Sequence, residues 1–322
     1  MSVPQKQIEQ QQPPQKRGLS LVTHGKTERP YRILLYSPEG VGKTSFAANA
    51  PAPIFIGTED GSGFVDVARF PRPQVWGDIL ENVRALQTEA HEYKTLVIDT
   101  LDWAEPLCWA KVVAEAIPTK DGKRAESIEE VGGGYGKGYQ AAIDVWRQLI
   151  SEIERLQATK GMHVILLAHS VLKMYRNPEG EDFDRYTMKF NEKASGLFRE
   201  WCDELLFANF ETFTKEKNKR IRGVSSGTRV IYTTRRASFD AKTRRSLPDQ
   251  LPLDWGEFER AALAHQVQDP AELLKQITTA AAQLGGDLEK QITAAIVRAG
   301  NDATKLAQLS NWSRAKLEAK GN

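Results

Sequence analysis

The sequence predicts an α/β fold, a mostly parallel central sheet flanked by helices, with a small helical appendage at the C-terminal end. Three features predict it. Short apolar runs recur between 31 and 234, and several are continuous over four to six residues, as in strands covered on both faces. Between the third and fourth runs lies a long stretch with apolar residues at helical spacing. Beyond Leu253 no strand-like run follows.

Taken in order, residues 1–29 are rich in Gln, Pro and Lys and nearly free of large apolar side chains. Such a segment buries too little surface to offset its ordering entropy, so a disordered tail is expected. A core then spans 30–255. Its candidate strands are 32–36 (RILLY), 53–57 (PIFIG), 95–99 (TLVID), 163–168 (HVILLA), 204–210 (ELLFANF) and 229–234 (RVIYTT). Helices are expected at 44–50, 101–116 and 138–159. The last carries Tyr139, Ile143, Trp146, Leu149, Ile150, Ile153 and Leu156 on one stripe. Strands alternating with helices run parallel, and the short connection between the last two predicts an antiparallel pair at one edge. Residues 256–322 read as helices separated by Asp269-Pro270, Gly285-Gly286 and Gly300-Asn301.

Composition narrows the class. At 322 residues, 40% hydrophobic and 27% charged, the chain is ordinary for a globular protein with a real core. A net charge of +2 says little about partners, because it averages over local asymmetry. Cys108 and Cys202 stand in no metal or redox spacing, which fits idle thiols in a reducing compartment. No apolar run is long enough to span a bilayer, and the N-terminus has no signal-type hydrophobic stretch. The expectation is a cytoplasmic protein with no membrane partner.

The chemistry begins at 37–44. Ser37, Pro38, Glu39, Gly40, Val41, Gly42, Lys43 and Thr44 follow a strand and open a helix that continues through Ser45. That context marks a Walker A loop, or P-loop, which cradles the phosphates of ATP. Gly40 and Gly42 let the backbone curl so that successive N–H groups face phosphate oxygens, and the helix start adds partial positive charge. Lys43 reaches the β- and γ-phosphates, and the Thr44 hydroxyl can ligate Mg²⁺. Ser37 stands where the motif has its first Gly, tolerable if its backbone angles are not those of glycine alone. Asp99 ends a central apolar strand, the Walker B arrangement for holding Mg²⁺; it is also placed to cap the following helix. Glu59 and Asp60 follow the strand PIFIG, where a base that polarises the attacking water would sit.

PIFIGTEDG, LVIDTLDW and the P-loop together resemble the core of RecA-type recombination ATPases in spacing and order. The resemblance covers roughly 30–255. It implies that Glu59 activates water, with Asp60 as its rival. It also implies that His169, at the end of HVILLAHS, occupies the place of a Gln that senses the γ-phosphate; a histidine can donate the same hydrogen bond. A His that merely satisfies a strand end is the other reading.

Residues 211–245 hold eleven Lys or Arg against three acids, a concentration suited to neutralising phosphates or to a solvated face. Within them FDAKTRRSLP resembles phage-encoded RecA-like ATPases of the single-strand annealing type. By that resemblance Lys242 and Arg244, with Arg245 as a substitute, reach the γ-phosphate on a neighbouring subunit. Two long loops are expected at 118–138, with the cluster GGGYGKG, Tyr135, Lys137 and Tyr139, and at 171–195, with Lys173, Tyr175, Arg176, Arg185, Tyr186 and Lys189. Basic and aromatic side chains there suit a single strand, although acidic neighbours count against it.

The expected function is an ATP- and Mg²⁺-dependent RecA-like ATPase that binds single-stranded DNA and promotes annealing or strand exchange. The resemblance implies a ring or filament of identical subunits and a single-strand-binding partner protein. The rivals are a replication accessory ATPase, such as a helicase or helicase loader, and a nucleotide-dependent switch that binds protein partners. In the first rival 256–322 form a lid that uses Arg260, Arg298 or Arg314.

Overall fold

The computed structural model describes residues 22, 29–59, 63–118, 122–217, 220–245, 247–266 and 270–300, with scattered positions from 302 to 317. Most of the expected tail, together with Asp60, Lys120, Lys219 and Arg314, lies outside the described residues. The apolar runs become β1 (Arg32–Ser37), β2 (Pro53–Gly57), β3 (Ala68–Arg69), β4 (Thr95–Asp99), β5 (His163–Tyr175), β6 (Phe183–Met188), β7 (Glu204–Lys217), β8 (Arg220–Tyr232) and β9 (Gln250–Pro252). Between and after them come α1 (Lys43–Ala48), α2 (Trp76–Thr88), α3 (Leu101–Glu115), α4 (Lys137–Lys160), α5 (Glu192–Trp201), α6 (Trp255–Gln266), α7 (Pro270–Leu284) and α8 (Gly286–Ala299).

Among the described residues the sheet runs β3-β2-β4-β5-β1-β7-β8-β9, with β6 paired to the outer part of β5. Its β3-to-β7 portion is parallel, and β8 and β9 close the edge antiparallel. The expected α/β architecture is present, including the antiparallel last pair. Pleating sends alternate residues of each run to opposite faces. Leu34, Tyr36, Leu96, Ile98, Val164 and Leu166 meet α2, α3, α4 and α5 on one side. Ile33, Leu35, Val97, Ile165 and Leu167 face α1 and α6 on the other. Continuous hydrophobicity was the mark of that double coverage.

α2 went unassigned in the sequence, yet Trp76, Ile79, Leu80, Val83 and Leu86 give it a buried stripe at helical spacing. Trp76 meets Trp146 of α4 edge-on at 4.9 Å. α4 starts where a Cβ on Gly138 would lie 1.9 Å from the Ile128 carbonyl oxygen, so glycine alone permits that approach. Segment 171–195, expected as a loop, is instead the β5–β6 hairpin followed by the start of α5. β7 and β8 likewise run on past the expected ends as a long antiparallel pair through the basic segment.

α6, expected with the helical region, docks on the core through Trp255, Phe258 and Ala262, with Tyr31 and Phe46 around them. α7 and α8 bury Leu273, Ile277, Ala281, Leu284 and Ile292 in an apolar cluster of their own. Among the described residues no helix is long and apolar enough to cross a membrane.

Candidate nucleotide site

In the order β2-β4-β5-β1 the C-terminal ends of four neighbouring parallel strands deliver Glu59, Asp99, His169 and Ser37 to one edge. Ligands of open α/β sheets gather at that edge. The loop from Pro38 to Gly42 leaves β1 and turns into α1 through two left-handed glycines, Gly40 at φ 73° and Gly42 at φ 114°. A Cβ on Gly40 would meet nothing within 4 Å, so backbone conformation rather than space selects glycine there. Ser37 needs no glycine, because it is the last residue of β1, in register with His169 of β5. Val41 is buried and pins the loop, while Glu39 and Ser45 are exposed on its outside.

Lys43 folds back into the loop. Its Nζ donates to Ser37 Oγ at 3.3 Å and to the Pro38 carbonyl at 3.4 Å, long bonds that an anion readily displaces. Only 6% of Lys43 is exposed. Burial lowers its pKa, and the carboxylates of Asp99, Asp102, Glu59 and Glu39 oppose that. Thr44 Oγ1 donates to Asp99 Oδ2 at 2.9 Å. Asp99 Oδ1 is buried with no hydrogen-bond partner among the described residues. Burial pushes the Asp99 carboxyl up, against the Thr44 bond, Lys43 and His169. An unpartnered carboxylate oxygen beside a threonine hydroxyl and a buried lysine fits a divalent cation held with phosphate.

Glu59 is set by the end of β2. The Thr58 N–H donates to the Asp99 carbonyl at 2.8 Å, and Thr58 Oγ1 both donates to the Thr100 carbonyl and accepts from the Thr100 N–H. These bonds tie the two strand ends together and fix Glu59 next to Asp99. Burial raises the Glu59 carboxyl, His169 and Lys43 pull it down, and Asp99 and Asp102 push it up. His169 is buried and bonded to Asp102 of α3, its ring Nδ1 lying 2.9 Å from Asp102 Oδ2.

Two neighbours of the site escaped the sequence reading. Asp102 stands in LVIDTLDW, but its partner lies 67 positions away. Arg229 of β8 is exposed, with its guanidinium over Phe210, and would lie 3.1 Å from a Cβ on Gly42. Neither position carries a local motif.

The structure does not bring Lys242 and Arg244 to the P-loop of their own chain. Lys242 bridges Leu205, itself paired with Leu34 near the other end of β1. Its Nζ donates to the Glu200 carbonyl at 3.4 Å, and Arg244 lies 3.6 Å from Asp203, which also binds Arg29. Arg245 is committed to buried Glu204 at 2.8 Å and to the Tyr31 ring. Among the loop cations, Arg185 is buried against Asp240 and Lys189 pairs with Glu39, whereas Lys173 and Arg176 are exposed. In the glycine cluster Lys137 is bonded to the Gly132 carbonyl and Tyr139 to Glu129, while Tyr135 is almost wholly exposed. Arg260 pairs with Glu257 on the surface of α6.

A family model described as an AAA domain matches residues 29–245. No curated protein matches the chain. Solved structures similar to it include the crystal structure of the RadB recombinase, 11% identical, covering 69% of this chain and 86% of that one at a TM-score of 0.38. The family match takes in well over half of the sequence and every strand that carries a site residue, and the chain therefore belongs to the AAA domain family of P-loop ATPases.

Proposed function

We propose that this ATPase binds ATP with Mg²⁺, hydrolyses it, and uses the cycle to bind single-stranded DNA during annealing or strand exchange, as a phage-encoded RecA-like recombination protein of the host cytoplasm. One observation carries the reading. Lys43, the Thr44–Asp99 pair, Glu59 and His169 meet at one sheet edge, and a strand bearing one of them runs straight on into a hairpin.

The loop N–H groups and Lys43 hold the phosphates. Thr44 and Asp99, the latter through water, would hold Mg²⁺, which would supply positive charge against that building on the phosphate oxygens. Glu59 takes the proton of the attacking water as the bond between the γ-phosphorus and the bridging oxygen breaks. His169 donates to the γ-phosphate. It opens the outer part of β5, where Leu172 and Met174 are exposed beside Lys173 and Arg176. Apolar faces and cations in alternation suit unpaired bases and their backbone. Lys242 and Arg244, which lie at the far end of β1 from their own P-loop, would serve a neighbour's site in a ring or filament, and a single-strand-binding protein is the expected partner.

The test is binding of a labelled DNA single strand by the full chain with ATP, with ADP and without nucleotide, particle size being followed in the same samples. ATP-dependent binding with growth in size is expected. ATP turnover with no DNA binding in any state refutes the DNA assignment and favours a protein-binding switch. Directional unwinding of a forked duplex favours the replication motor.

A further inference from the structure

α3 starts two residues after Asp99, and Asp102 lies in its first turn. Asp102 takes two hydrogen bonds from one residue: the His169 backbone N–H donates to Oδ1 at 2.9 Å, and the ring Nδ1 donates to Oδ2 at 2.9 Å. Both side chains are buried, 5% and 9% exposed. A carboxylate only accepts, so Nδ1 carries the hydrogen and Nε2 remains as the ring atom with no bond to a described residue. Spending both oxygens on His169 fixes the turn of the ring as well as its tautomer. Burial works against the Asp102 charge, but the hydrogen bonds from His169 outweigh it and hold the carboxyl below its ordinary range.

His169 stands at the phosphate-site edge, in register with Ser37, the first residue of the P-loop. The segment bearing it is also held at both ends by α3. One turn beyond Asp102, Glu105 accepts the Asn191 N–H with both of its oxygens, at 2.9 and 3.2 Å. The Lys189 N–H closes the root of the hairpin on the His169 carbonyl at 2.8 Å.

We propose that Asp102 is a positioning residue for ATP turnover, fixing His169 by two hydrogen bonds so that Nε2 is presented to the terminal phosphate of the nucleotide. The inference rests on the reading of His169 as the phosphate-sensing group. On this reading Asp102 acts through the ring rather than on the nucleotide. A phosphate oxygen only accepts, so Nε2 bonds it as a donor while Nδ1 keeps its hydrogen on Asp102.

The experiment compares Asp102→Asn, His169→Ala and the double variant of the full chain in nucleotide affinity and in turnover at saturating Mg²⁺–ATP. Asp102→Asn is expected to lower kcat roughly 10- to 100-fold, as loss of an orienting partner does, with nucleotide affinity unchanged. The double variant is expected to turn over no more slowly than His169→Ala, because Asp102 acts only through the ring. An equal further loss on top of His169→Ala marks a merely structural role and overturns the proposal. A crippled His169→Ala beside an unimpaired Asp102→Asn overturns the proposal alone, whereas wild-type turnover in His169→Ala removes the sensor reading with it. Imidazole nitrogen NMR of the unmodified chain needs no variant to fold: a hydrogen on His169 Nδ1 is expected, and an Nδ1 without one overturns the assignment.

Discussion

Gly42→Ala tests the phosphate cradle through backbone conformation alone. Gly42 holds φ 114° and ψ 27°, well beyond the left-handed well near +57° that other residues visit. An alanine there costs about 1–3 kcal/mol. Its Cβ would meet Arg229 Nη1 at 3.1 Å and Leu253 Cδ2 at 3.5 Å. The first is the end of a flexible side chain on an exposed residue and the second an ordinary contact, so conformation sets the penalty. The loop N–H groups must keep this conformation to face the phosphates, so the cost appears as lost affinity for Mg²⁺–ATP. At about 1.4 kcal/mol per tenfold, the loss is roughly 5- to 140-fold. Gly40→Ala, at φ 73° in open space, costs about 1–2 kcal/mol, and hence roughly 5- to 30-fold. Calorimetric titration with a non-hydrolysable ATP analogue measures both. Binding within about twofold of wild type for Gly42→Ala would refute the reasoning. Full recovery in Gly42→Ala/Arg229→Ala would show that the side-chain clash had been the obstacle all along.

Four further outcomes are expected. Lys43→Ala abolishes nucleotide binding in the same titration, and retained affinity contradicts the role of the buried ammonium. Glu59→Gln keeps binding and loses turnover; in the wild type kcat/KM declines as pH falls through the raised Glu59 pKa, so a pH–rate midpoint at or below the usual glutamate range counts against Glu59 as the base. Mixed oligomers of Lys43→Ala with Lys242→Ala/Arg244→Ala subunits recover part of the activity that each lacks, and no recovery argues against a shared site. Glu105, raised from 4.5 to about 7 by burial, stays protonated in the folded chain after it has ionised in the unfolded one, so its stability contribution is full below 4.5 and fades as pH rises to about 7. At roughly 1.4 kcal/mol per unit this amounts to about 3 kcal/mol at most. Denaturant titrations should show Glu105→Gln losing less stability over that window than the wild type, and an equal slope rejects the assignment.

What was legible in the sequence followed from local chemistry. Asp99 could be placed because TLVID is buried on both faces and its carboxylate ends the run. The phosphate loop could be placed because strand, glycines, Lys-Thr and helix are contiguous. The hairpin after His169 was hidden because its strands alternate apolar and polar residues outside the doubly covered sheet, and Arg176, Asp182 and Asp184 made the stretch look like an open loop. The extensions of β7 and β8 were hidden for the same reason, since their residues past Phe210 belong to the charge-rich segment. α2 was recoverable from spacing alone, at 76, 79, 80, 83 and 86. Asp102 and Arg229 were not recoverable, because their site partners lie far along the chain and meet them only when the strands take up their order.

That order also accounts for how one edge could serve two ligands. β5 lies between the P-loop strand and the Asp99 strand, with His169, the last residue of its parallel pairing, in register with Ser37 and two residues beyond the partner of Asp99. Being 13 residues long, it does not stop at the edge but continues into the hairpin. On the proposed function, a shift of His169 toward a phosphate would be carried into Leu172, Lys173 and Met174 along a hydrogen-bonded strand pair. Asp102 holds His169 of β5, and Glu105 holds Asn191 beyond β6, to the helix that follows Asp99. If the hairpin binds DNA as proposed, it and the nucleotide site share one hydrogen-bonded support, the physical requirement for ATP to alter what the hairpin binds.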